Sequence, residues 1–224
     1  MDGIGHNGGI CFVAGTNILT ARGEVPVEQL AENDQAILAS GRQVPITWLG
    51  HRHIPSRLLM ALPRLRPVCI ARDAFASGRP HRDLWVSAQH GIYANGVLIA
   101  AISLVNRTTV ILDWTVRDVS YYHVELESHG LLLSEGLATE SYLDNGNRSF
   151  FANGPQVTSL HPDPSPKLIA RQACAPRLFA GPLVEEVRQH LATRAAALRI
   201  SSDSQADTGS GGSAAVPRSV GSNF

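Results

Sequence analysis

Apolar and polar positions alternate over short distances along most of the chain. Thr16 to Thr20 is followed by a turn at Ala21-Arg22-Gly23-Glu24 and then by Val25-Pro26-Val27. Runs of β-forming residues cut by Gly, Asn, Asp and Pro at such intervals predict strands joined in hairpins. Glu28 to Leu30 reads as one helical turn and Asn33-Asp34 as a tight turn, with strands at Gln35 to Leu38 and Val44 to Leu49. Pro55, Pro63 and Pro67 mark a looser passage before Val68 to Ile70. Asp83 to Val86 leads to Asn95-Gly96, set between the apolar runs Gly91 to Ala94 and Val97 to Ile102. An Asn-Gly pair in that setting is the strongest short hairpin signal. Further strands are predicted at Thr109 to Leu112, Tyr121 to Leu126, Leu131 to Ser134 and Leu137 to Tyr142, so the body is all-β.

The pattern ends at Asp144-Asn145-Gly146-Asn147 and Asn153-Gly154-Pro155, and Pro162, Pro164 and Pro166 follow. Beyond them, apolar residues at 183, 184, 187, 191, 195 and 198, after Pro182, have the spacing of an amphipathic helix with proline in its first turn. The expected organisation is a flexible glycine-rich leader at 1–10, a β body at 11–150, a proline-rich linker at 151–181, a C-terminal helix at 182–200 and a disordered Ser/Gly/Asp-rich tail at 201–224. The helix is read as a packing or interaction element, able to contact another domain.

Composition narrows the classes. Lys plus Arg and Asp plus Glu both number 19, so no net charge draws nucleic acid or an anionic surface. Cysteines at 11, 69 and 174 form no C-x-x-C pair and no even framework, which predicts neither a metal knuckle nor structural disulfides and suits a reducing compartment. With no basic, apolar signal at the start and no apolar run of about 18 residues, the chain is expected to be soluble and cytoplasmic, without a membrane span. His51 and His53 share one strand face but lack further ligands nearby, and read as a solvated strand edge.

Cys11 is the residue with chemistry to offer, because a thiol can attack the carbonyl before it, that of Ile10, and turn the amide into a thioester. The amide is the more stable bond. The shift therefore needs distortion of the peptide, hydrogen bonds to the oxyanion, or an acid that protonates the departing nitrogen. A histidine, with its near-neutral pKa, suits the last task.

The block from Cys11 to Leu30, together with Ser87-Ala88-Gln89-His90, resembles the Hint domain of hedgehog and intein proteins, and its bacterial intein-like members in particular. Ser87 stands where the family's T-x-x-H motif has threonine. Tyr122 to His129, followed by Leu131 to Gly136, resembles the family's late strand pair. The resemblance covers about residues 11–145 and implies a horseshoe of short strands. It implies that Cys11 is the nucleophile at the Ile10–Cys11 bond, His90 the acid on the scissile nitrogen, Ser87 a hydrogen-bonding support, and His129 a further site residue. His123 falls where the family usually has Asp or Cys, and Glu140-Ser141 replaces the terminal His-Asn of inteins. Without that asparagine the C-terminal cyclisation of full splicing is impossible.

The function expected is N-terminal cleavage by an N-to-S acyl shift, with the chain's own N-terminal flank as substrate, water or a small nucleophile as acceptor, and no cofactor. Two alternatives use the same residues. One is an inactive Hint remnant serving as a binding or structural module, and the other a Cys-His peptidase acting in trans.

Overall fold

A computed structural model describes residues 9–143, 151–152 and 173–208, with side chains to residue 199. The expected turn at 144–147, the linker prolines and most of the tail lie outside the described residues. Among the described residues, fourteen strands form one sheet in the order β10-β6-β7-β1-β11-β5-β4-β2-β12-β13-β8-β9-β14, with β3 paired to β2. They run β1 Phe12–Val13, β2 Asn17–Thr20, β3 Gly23–Pro26, β4 Gln35–Ile37, β5 Gln43–Ile54, β6 Pro67–Ile70 and β7 Leu84–Ser87. Then come β8 Gly91–Ala94, β9 Val97–Ala100, β10 Val110–Leu112, β11 Val119–Leu126, β12 Leu131–Ser134, β13 Leu137–Glu140 and β14 Arg177–Leu178. The all-β body predicted from alternation is what the chain builds.

The turn chemistry works as read. Asn95 (φ 49°) and Gly96 (φ 84°) both take the left-handed conformation that a type I′ hairpin requires. Glu135 (φ 47°) and Gly136 (φ 78°) do the same between β12 and β13. Two elements differ from the pattern. The strand expected to stop at Leu49 continues as β5 to Ile54, because β11 pairs with it along its length, from Val119↔Ile54 to Leu126↔Ile46. A short helix, α1 Ser56–Ala61, occupies the passage read only as loose.

One buried cluster runs through the body, with Phe12, Ile18, Ile46, Val86, Ile92, Ile99, Leu104 and Leu126 among its members. The C-terminal helix, α2 Pro182–Thr208, extends further than its apolar pattern suggests. Its Val184, Val187 and Leu191 belong to that same cluster. His190 Nε2 donates to the Phe75 carbonyl at 2.9 Å, and the Arg194 guanidinium donates to the Asp73 carbonyl. Just before α2, β14 lies parallel to β9. The helix therefore packs on the β body of its own chain.

Candidate active site

Strand register assembles the site. β1 lies between β7 and β11, pairing Phe12 with Val86 on one side and with Tyr122 on the other. One residue earlier, Cys11 therefore comes level with Ser87 at the end of β7 and with His123 inside β11. The two neighbours are 76 and 112 residues away in sequence.

The geometry around the Ile10–Cys11 peptide is specific. Ser87 Oγ accepts the Cys11 N–H at 3.0 Å and donates to the Gly9 carbonyl at 2.7 Å. Cys11 Sγ lies 2.8 Å from His123 Nε2 and 3.2 Å from the Gly9 oxygen. Cys11 and His123 are both buried. A Cβ on Gly9 would fall 2.8 Å from His123 Cε1, so only glycine lets the backbone pass this close to the ring. On the other side, Phe151 lies edge-on to His123 with centroids 4.1 Å apart, and Tyr142 does so at 5.0 Å.

His90, in the turn between β7 and β8, sits elsewhere on the same residue. Its Nδ1–H donates to the Cys11 carbonyl at 2.9 Å, and its buried Nε2 has no hydrogen-bond partner. That carbonyl belongs to the peptide after Cys11, so the imidazole faces the far side of Cys11, whereas the Cys11 nitrogen meets Ser87. The role expected for His90, acid on that nitrogen, does not match this placement. The Hint motif brings both residues to Cys11, but with the contacts divided between them.

His129 is not part of this group. Cys174 N–H donates to its Nδ1 at 2.9 Å, which puts the ring proton on Nε2, 3.4 Å from Glu140 Oε2. Glu140 also pairs with Arg177 and accepts the Gly91 N–H. This buried set joins β13, β14 and the start of β8. Ser141 is likewise structural, its Oγ accepting the Gly130 N–H at 3.0 Å.

Burial governs the electrostatics. It pushes the Cys11 thiol up to about 12, against the lowering influence of the Arg52 charge and the Ser87 hydroxyl. Burial also pulls His90 down to about 4, although Glu140 and the bond to Cys11 oppose it, and holds His123 well below the usual imidazole range. At neutral pH the site is a neutral thiol beside a neutral imidazole. The pair holds no standing thiolate. A small cleft opens beside Gly9, Cys11 and Ser87, with Arg52, Arg64 and Tyr121 in its wall.

The model of the Hint domain family matches residues 10–146. The chain belongs to the Hint domain family. The matched span runs from Ile10, on one side of the candidate scissile bond, to just beyond β13. No curated protein matches the chain. Among solved structures, it is similar to a bacterial intein-like domain from Clostridium thermocellum at 14% identity, covering 59% of this chain and 97% of that one with a TM-score of 0.41. It is also similar to the gp41-1 intein at 11% identity, covering 58% and 97% with a TM-score of 0.41. The MchDnaB-1 intein is similar at 14%, covering 58% and 98% with a TM-score of 0.40. The Hint domain is of the autoprocessing type, and no described helix is long and apolar enough to cross a membrane.

His123 is the residue that motif reading undervalued. In the sequence it stands only as a departure from the Asp or Cys of the family that the chain resembles. The signal that could have found it is register, since a strand aligned through Tyr121-Tyr122 against Phe12-Val13 must put His123 beside Cys11.

Proposed function

We propose that this Hint domain cleaves its own chain at Ile10–Cys11 through an N-to-S acyl shift, with Cys11 as nucleophile, His123 as the base that takes the thiol proton and returns it to the departing nitrogen, and Ser87 as the group that orients the scissile peptide. Sulfur adds to the Ile10 carbonyl carbon as its proton moves to His123 Nε2. The C–N bond then breaks as the proton taken up by His123 Nε2 is returned to the Cys11 nitrogen, whose N–H the Ser87 hydroxyl accepts and holds in place. A thioester between Ile10 and Cys11 Sγ and a free α-amine on Cys11 result. Water adds to the thioester, releasing residues 1–10 with a carboxylate and regenerating the thiol. Arg52 favours negative charge on the sulfur, while His90 fixes the Cys11 backbone through its carbonyl.

The observation that carries this reading is the 2.8 Å approach of Cys11 Sγ to His123 Nε2, on a residue whose N–H is already engaged by Ser87. Mass spectrometry of the full chain incubated with dithiothreitol or hydroxylamine tests it. Expected is loss of residues 1–10, abolished by Cys11→Ala and slowed roughly 100-fold or more by His123→Ala, the usual contribution of a positioned acid or base. The rate should not change with protein concentration, which separates cis cleavage from a peptidase acting in trans. An intact mass after prolonged hydroxylamine treatment would overturn the proposal and leave the domain as a binding or structural module.

A further inference from the structure

Away from Cys11, Glu24 of β3, His81 before β7 and Glu135 of the β12–β13 turn each bring one potential ligand atom to a cluster in which all three lie within 4.8 Å of one another. His81 Nε2 lies 3.2 Å from Glu24 Oε2 and 3.2 Å from Glu135 Oε2. Tetrahedral zinc, with bonds of about 2.0 to 2.1 Å, sets its ligand atoms about 3.3 to 3.4 Å apart, so both separations fit the edges of such a site. Glu135 supplies an independent observation. Its side chain is fully buried, and its Oε2 has no hydrogen-bond partner although it points into the cluster. Its nearest counter-group is the His81 imidazole at 3.2 Å, charged only when protonated, and a buried carboxylate oxygen so placed is costly unless a cation meets it.

The charges point the same way. Two carboxylates face one fixed cation, Arg82, whose guanidinium contacts Glu135 Oε1 at 3.3 Å, leaving a deficit when the imidazole is neutral. Glu135 Oε1 is already committed to the Asn17 N–H at 2.7 Å, so Oε2 is the atom left for a ligand. Side-chain exposures of 35% for His81 and 37% for Glu24 leave an open side through which an ion can enter and keep a water. One imidazole with two carboxylates suits zinc and its neighbours better than magnesium or calcium.

We infer that Glu24, His81 and Glu135 form a zinc-binding site. It would brace the turn that follows β1, because Glu135 holds Asn17 and Arg82 also donates to the Gly15 carbonyl at 3.1 Å. The site shares no residue with the Cys11 group. The test is zinc binding by calorimetry to the full chain carrying Cys11→Ala, which removes that thiol as a competing ligand, with cobalt as a spectroscopic probe. Expected are one zinc per chain, a melting temperature raised by roughly 5 to 10 °C at a hundredfold excess over Kd, and cobalt d–d bands without thiolate charge transfer. His81→Gln and Glu24→Gln, both at part-exposed positions, should each weaken binding at least about tenfold. Absence of binding, unchanged affinity in both variants, thiolate bands with cobalt, or calcium binding tighter than zinc would each overturn the inference.

Discussion

Replacing His90 with asparagine separates the histidine's hydrogen bond from its titration. The amide of His90→Asn can still donate toward the Cys11 carbonyl, as Nδ1–H does at 2.9 Å, but it cannot take up a proton. In the folded protein burial holds this imidazole at about 4, whereas the unfolded chain restores the ordinary value near 6.5. Between those values the unfolded state binds the proton and the folded state does not, so stability falls as pH falls from about 6.5 towards 4. Two and a half units correspond to about 3 kcal/mol over the whole window, of which about 2 kcal/mol is lost between pH 7 and pH 5.

Urea unfolding followed by tryptophan fluorescence at pH 7, 6 and 5 measures this directly. The asparagine variant should lose about 2 kcal/mol less than the parent chain over that interval. The remaining slope belongs to other groups, His123 included, which burial shifts in the same direction. If the two proteins lose stability in parallel, His90 is not held neutral by burial, and the account of a neutral site fails.

Three further outcomes follow from packing. Gly9→Ala puts a Cβ against the His123 ring, and the displaced imidazole should slow release of residues 1–10 by about 100-fold in a mass-spectrometric time course. Glu140→Gln removes the charge that Arg177 and His129 share and should lower the urea midpoint by an amount equivalent to about 3 kcal/mol, because the pair is broken in a buried setting. Leu191→Ala empties a fully buried position where α2 meets the body and should cost about 2 to 5 kcal/mol in a single cooperative transition; a separate, early helix transition would show that α2 is not part of the core.

What the residues alone determine is local. Alternation with period two, an Asn-Gly turn and the spacing of apolar positions on α2 depend on neighbours a few residues apart, and these elements form where the pattern put them, although β5 and α2 run past their expected ends. The pairing of Cys11 with Ser87 was also legible, because both belong to short blocks of recognisable chemistry. Local pattern could not fix which strand lies beside which. That choice is made by burying Phe12, Val86 and Val124 in one cluster, and it alone brings His123 next to Cys11 and turns His90 to the carbonyl behind it. The same holds at Glu140, whose partners Arg177 and His129 come from segments on either side of it, and at Glu24, His81 and Glu135. Side chains drawn from distant strands meet only after register is set, and register is a property of the whole core.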